Sequence, residues 1–197
     1  MPKRVDHDQR RRALAEAVFS VIGSRGMGAV SLRDVADQAG VSMGAVQHYF
    51  SSKDEMLLFA LNHMRARVLE RLQAATARLQ EPTRRQRVRA AIEVMVPIDE
   101  PSRQEACVNL AFFGVATVTP GYADLLREGY ARILAASCGE LRAAVEAGET
   151  LDGVDPDRDA AQLYFLAQGL VGPLLVELLT PNEALDLVDH HLDRIFR

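Results

Sequence analysis

The sequence predicts an all-α protein, a small basic head followed by a larger helical body, with about nine helices in all. Three observations carry that prediction. Apolar residues recur at helical spacing along most of the 197 residues, and nothing alternates with the period of a half-buried strand. Glycine, proline and Ser/Thr/Asp residues punctuate those stretches where helices must stop and start. Charge is divided unevenly: residues 1–53 hold eight Lys/Arg against five acids, a net of +3, and the remainder carries −7 within an overall −4.

The elements follow in order. Leu14, Ala17, Val18, Val21 and Ile22 form the stripe of a first helix, which Gly23 and Gly26 end. Ser31 caps a second helix, with Asp34 three residues on and Leu32, Val35, Ala36 and Ala39 inward. Gly40 supplies a turn. Ser42 caps a short third helix, and Ser52 with Glu55 makes a capping box for a long fourth one, striped by Leu57, Ala60, Leu61, Met64, Val68 and Leu72. After the break at residues 80–83, Val88, Ala91, Ile92, Met95 and Val96 mark a fifth helix, ended by Pro97. Ser102 and Glu105 frame a capping box for the sixth, which is apolar nearly all round. Pro120-Gly121 breaks it. A seventh helix runs from about Tyr122 to Ala147 with Leu126, Ile133, Leu134, Leu141 and Val145 inward. Asp155 caps and Pro156 opens an eighth, with a kink expected at Gly172-Pro173; Thr180, Pro181 and Glu183 start the ninth, faced by Leu185, Val188, Leu192 and Ile195.

Composition narrows the function. With 48% hydrophobic and 25% charged residues the chain can bury a real core. No apolar run suits a bilayer, and "MPKRVDHDQRRR" lacks the apolar segment of a secretory signal, so a cytoplasmic protein is expected, with Cys107 and Cys138 as free buried thiols. No glycine-rich phosphate loop, zinc spacing or Ser/His/Asp arrangement is visible, and neither a metal nor a cofactor is implied. In "DHHLD" the adjacent His190 and His191 diverge by about 100° on a helix and cannot share a metal, while Asp189 and Asp193 share a face that solvent can cover. An enzyme is not expected.

The stretch "LRDVADQAGVSMGAVQHYF" has the makings of a helix-turn-helix. Ala36 lets the second helix approach, Gly40 suits a positive φ at the turn, and Val46 points back into the seam, leaving the second helix free to lie in a major groove. Gly44 lowers helix propensity by about 0.8–1 kcal/mol relative to alanine, so close approach to a phosphate or base edge is a reason for it to be there. Gln47 can pair with adenine in bidentate fashion, and His48 and Tyr49 can bond phosphate oxygens. Lys53 sits at the positive end of the fourth helix, where a phosphate would turn repulsion into a joint anion site. Phe50 is a core anchor. A helical binding or adapter protein without DNA activity is the rival, and it must explain Gly44, Lys53 and the basic head separately.

Residues 10–57 resemble the DNA-binding domain of the tetracycline-repressor (TetR) family of bacterial regulators, on Phe19, Gly26, "SLRDVADQAGVS" and "HYFSSKDEML". Roughly residues 80–197 are similar to the BetI-type ligand domain, on "VMVPIDEPSRQEACVNLAFFGVATVTPGYADLLREGY" and "GVDPDRDAAQLYFLAQGLVGPLLVELL". The resemblance implies a DNA-binding domain over residues 1–53 and a ligand-binding and dimerisation domain over 54–197. It further implies a homodimer on a palindromic operator, usually repressing, and released by a small molecule. Carried over by position, Ser31, Ser42, His48, Tyr49 and Lys53 would hold phosphates, while Met43, Gly44, Ala45 and Gln47 would face bases. Many members have tyrosine where this chain has Gln47, which favours a base contact there. An arm with Lys3, Arg4 and Arg10 to Arg12 would add backbone or minor-groove contacts, or else contribute weakly.

For the body, the resemblance implies that the eighth and ninth helices pack against their symmetry mates, with Leu163, Leu166, Leu170 and Leu174 along the face and Gly169 allowing close approach; an intramolecular core is the alternative. Asn109, Thr117 and Gln168 are polar residues stranded on apolar helices, and Met95, Cys107, Phe112, Phe113 and Tyr164 would wall a ligand pocket between them. A quaternary ammonium ligand would need an aromatic cage, for which a chain without tryptophan offers little.

Overall fold

The computed structural model describes residues 2–197, with side chains from residue 7 onward. Nine α-helices form among the described residues: α1 (Pro2–Arg25), α2 (Leu32–Ala39), α3 (Met43–Tyr49), α4 (Lys53–Ala77), α5 (Arg84–Met95), α6 (Glu100–Ala116), α7 (Pro120–Glu146), α8 (Pro156–Leu175) and α9 (Pro181–Leu192). A 3-10 turn at Met27–Ala29 joins α1 to α2, and the only extended pairing among the described residues is an antiparallel bridge between Thr150 and Phe196.

Two apolar cores organise these helices. The first gathers α1 to α4 around Phe19, Val35, Val46, Phe50 and Leu61, and it recruits Val108 and Phe112 from α6 and Tyr122 from α7. The head therefore has no core closed off from the body: α4 and the facing ends of α6 and α7 are built into it. The second core joins α5, α7, α8 and α9 through Ile92, Leu141, Leu163, Leu174, Val188 and Leu192.

Several caps fall where the sequence places them. The hydroxyls of Ser31, Ser42 and Ser52 accept from the third backbone N–H of α2, α3 and α4, and Thr180 with Glu183 closes a capping box on α9. The α4 box is divided: Glu55 reaches back to the N–H and hydroxyl of Ser51 rather than to Ser52. At α6 the expectation is corrected, because Asp99 is the cap and Ser102 its reciprocal partner. That start places Pro101 in the first turn, where its missing N–H costs nothing. Glu105 is released from capping and lies buried further along α6.

Three other expectations change. Leu163, Leu170 and Leu174 are buried within the chain and fill its own second core, with Leu166 packed beside it. On α7, Ile133 and Val145 face outward while Leu141 points in. Pro173 lies in the last turn of α8, which ends at Leu175, and Arg103 of α6 donates to the carbonyls of Leu174 and Leu175. Those contacts satisfy two of the acceptors that a helix end leaves open.

Candidate nucleic-acid interface

The turn between α2 and α3 depends on Gly40, whose φ of 65° lies in the left-handed region, and its N–H closes back onto the carbonyls of Ala36 and Asp37. Val46 is fully buried and anchors α3 against α2, while Ala36 is buried at the crossing. With Val46 and Phe50 fixing the inner face, the remaining faces of α3 follow from its geometry. Met43 and Gln47 share one exposed face, and Gly44 and His48 share the next. Ala45 and Tyr49, both half-buried, line a cleft of about 280 Å³ against Arg10, Ala13 and Leu14 of α1 and Ala39 and Val41.

Gly44 has no packing role inside the chain. A Cβ built there meets only the Ser42 hydroxyl, at 3.9 Å. Its openness faces away from the protein, on the same side as His48.

Lys53 is exposed on the first turn of α4, and the two acids beside it are engaged elsewhere. Glu55 accepts from Ser51 and from Arg11 Nη2 (3.1 Å), and the Ser51 hydroxyl first, then its N–H, holds the carboxylate below the usual range. Asp54 accepts from the Tyr122 hydroxyl of α7 at 3.0 Å, and burial first, then Asp54, pushes that phenol up to about 12, so it stays a donor. The lysine is thus left as the cation of this helix start, with α7 attached one residue further on.

Other residues of the expected interface have different duties. The Ser31 hydroxyl accepts from the Asp34 N–H (3.1 Å) and donates to the Asp34 carboxylate, which also pairs with Arg25. In this arrangement the Ser31 hydroxyl caps α2 and bonds the Asp34 carboxylate. Arg11 lies over the rings of Phe50 (4.7 Å) and Phe59 (4.4 Å), so it holds α1 to the core. Arg10 and Arg12 are exposed; the side chains of Lys3 and Arg4 lie outside the described residues. The reading of the sequence missed His7, whose ring stands 4.8 Å from Tyr49 and 6.4 Å from His48. Nothing in the local sequence signals it, because the contact joins α1 to α3.

In the body, the expected pocket residues do not fall in one place. Phe112 is buried against Tyr122 in the first core (5.6 Å between rings), whereas Phe113 and Thr117 face outward. Met95 packs on the second core, and Cys107, Asn109, Tyr164 and Gln168 are half-buried. An open cleft of about 470 Å³ lies elsewhere, between α4 and the start of α7, lined by Asp54, Leu58, Asn62, Thr119, Gly121, Tyr122 and Leu125. The "DHHLD" carboxylates also have structural work: Asp189 pairs with Arg85 and Arg89, and Asp193 with Arg85, clasping α9 to α5. No group of three metal-ligating side chains forms among the described residues, and no helix there is long and apolar enough to cross a membrane.

A helix-turn-helix with an exposed second helix, built into a larger helical body, defines a DNA-binding regulator. The comparisons agree. The pattern described as bacterial regulatory proteins, tetR family, matches residues 14–59, and that of the BetI-type transcriptional repressor C-terminal domain matches residues 82–197. The chain is 34% identical over 184 residues to the HTH-type transcriptional regulator PksA of Bacillus subtilis, covering 93% of this chain and 87% of that protein. It is 30% identical over 200 residues to BetI of Burkholderia mallei, covering 99% and 97%. Among solved structures it is similar to a transcriptional regulator of Rhodococcus sp. RHA1 (TM-score 0.81, 31% identity, 94% and 95% covered). A regulator from Saccharomonospora viridis, solved in complex with choline, shares the fold (TM-score 0.83, 24% identity, 96% and 99% covered). This chain belongs to the tetR family of bacterial regulatory proteins and carries a BetI-type C-terminal domain. Its members are transcription regulators and not enzymes.

Proposed function

We propose that this regulator acts in the cytoplasm as a homodimeric repressor on a palindromic operator, with α3 in the major groove, and that a small molecule bound in the body releases it. Gln47 and Met43 read bases beside the open Gly44; Ser42, His48, Tyr49 and Lys53 hold phosphates; Ala45 sits at the rim. Residues 1–53 are the reading part and 54–197 the sensing and pairing part. The observation that carries the reading is Gly44, a helix-weakening residue exposed on α3 where an added Cβ would meet only the Ser42 hydroxyl.

The partner is a second copy, met through α8 and α9. The inner leucines of α8 are used within the chain, so the pairing surface is the opposite face. There Phe165 and Val176 stand 60% and 74% exposed, with Gly169 open between them and Leu187 of α9 45% exposed alongside. Apolar side chains exposed in a row on adjacent helices suit an isologous interface. Two-fold symmetry then sets the α3 helices ~34–36 Å apart, one turn of DNA.

Genomic-fragment selection with the purified protein, titrated in salt, tests this. Enrichment of a palindrome whose affinity falls steeply with salt is the expected result. Equal retention of all fragments at low salt would refute operator reading.

A further inference from the structure

Two arginines adjoin one turn of α7: Arg65 of α4 rests against Gly129, and Arg132 stands three residues further along the same helix. Arg65 of α4 is half-buried; its Nη2 donates to the Leu125 carbonyl at 2.6 Å, and the group lies across Gly129 of α7. A Cβ at Gly129 would stand 2.8 Å from that Nη2, so the glycine makes the seat in which the guanidinium rests. Burial and the charge of Arg132 both pull Arg65 below its ordinary pKa, while Glu128 acts the other way. Among the described residues neither arginine forms an ion pair: Arg132 Nε donates to the backbone carbonyl of Glu128 at 3.3 Å.

Aromatic rings adjoin these charges. Tyr130 of α7 and Tyr164 of α8 lie 4.9 Å apart, and Phe165 lies 5.8 Å from the first and 5.5 Å from the second. Tyr130 directly follows Gly129, the seat of Arg65, so the Tyr130–Tyr164 pair lies next to that guanidinium; burial first, then Tyr130, pushes the Tyr164 phenol up, and Arg65 opposes the shift. Holding the half-buried Arg65 near a second positive charge costs energy that an anion would return. A planar guanidinium with free N–H groups matches a carboxylate bidentately, and tilted rings accept another aromatic ring at their faces or edges. A quaternary ammonium would find the rings but meet two positive charges.

We propose that Arg65 and Arg132, with Tyr130 and Tyr164, form a binding site for a small aromatic carboxylate. The inference rests on the effector-released reading above and supplies its ligand class. Because Arg65 belongs to the helix that begins with Lys53, a carboxylate drawing on Arg65 acts on the same rigid element that sets the head.

The test is calorimetric titration of the full-length protein with benzoate, set against benzyl alcohol, cyclohexanecarboxylate and choline. Benzoate should bind saturably and more tightly than all three. Arg65→Gln should weaken it about 10- to 100-fold, the range for a hydrogen bond to a charged group. Tyr164→Leu should remove the preference over cyclohexanecarboxylate. Arg132→Gln, at an exposed position, should weaken benzoate without altering the melt, which covers the case in which Arg65→Gln fails to fold. Absence of benzoate binding overturns the site, as does benzyl alcohol or choline binding as tightly, or unchanged affinity in folded Arg65→Gln and Arg132→Gln. The selected operator fragment is then added. Its release by benzoate supports both readings; benzoate binding without release supports the site and refutes the effector role alone.

Discussion

Gly44 separates stability from recognition at a single position. Nothing in the chain blocks a methyl group there, so Gly44→Ala should raise helix stability by up to about 1 kcal/mol. The same methyl would stand between α3 and the DNA. We therefore expect a melting temperature equal to or above the parent's together with weaker operator binding, measured by thermal melts and DNA titration on one preparation. Gln47 is exposed on the neighbouring face, and in the proposed interface it reads a base: Gln47→Ala should relax preference at one base pair per half-site by about 1–3 kcal/mol. A sequence profile unchanged by that substitution would remove Gln47 from base recognition.

Capping ties the helices to pH. Asp34 is held below its ordinary 3.8 first by the Ser31 hydroxyl and then by Arg25, and Asp99 first by the Ser102 hydroxyl. Glu55 and Glu183 are held below their ordinary 4.5, by Ser51 and by the Thr180 backbone respectively. A carboxylate lowered in the folded state adds stability above its unfolded pKa and loses it as pH falls through the folded value. Stability should therefore hold above about pH 5 and decline from about pH 4.5 downward through the lowered folded values. Asp99→Asn should cost stability at pH 7 and little at low pH, which melts at the two pH values will read. Most caps were legible because a Ser or Thr with an acid three residues on is a local pattern. The start of α6 was not, since Asp99 and Ser102 both satisfy such a pattern and only the position of Pro101 distinguishes them. The apolar face of α8 was legible as apolar. Whether it met its own chain or a copy depends on where α5 and α7 lie, which no local spacing encodes. The inward place of Val46 and Phe50 was legible from helical spacing, but the engagement of Arg11 with Phe50 and Phe59 depends on side chains brought from other helices.

Across the molecule, a chain of ion pairs joins head to body. Glu16 of α1 accepts from Arg67 at 2.7 and 2.8 Å and lies 2.8 Å from His63 Nε2. On the far side of Arg67, Glu105 of α6 is 4% exposed, with Arg67 Nε 3.1 Å from its Oε1 and Arg71 bonded to its Oε2. The Arg67 contact is an ion pair without an aligned hydrogen bond. Arg71 continues to the Val94 carbonyl at the end of α5 (3.0 Å). Removing the central acid leaves Arg71 without a carboxylate and Arg67 with Glu16 alone, and Glu105→Ala should cost about 3–5 kcal/mol. At roughly 2–4 °C per kcal/mol for a chain of this size, the melting temperature should fall by about 6–20 °C. A fall within 2 °C would show that the network contributes no more than surface pairs do. We propose that the same route, α4 with its partners on α1 and α6 and the Tyr122–Asp54 bond beside Lys53, carries the effect of an occupied body to the head. A 100-fold change in operator affinity needs about 2.7 kcal/mol of such coupling.

A head that holds DNA through α3 and the start of α4 places Lys53 on the phosphate backbone. Operator affinity of the parent and of Lys53→Ala should be measured across a salt series, using the palindrome recovered from selection. Lys53→Ala should bind every sequence more weakly, with a salt dependence flatter by about one unit per half-site, the signature of one lost phosphate contact. An unchanged slope, or a loss confined to particular sequences, would contradict the placement of Lys53 on the DNA backbone and with it the assigned interface.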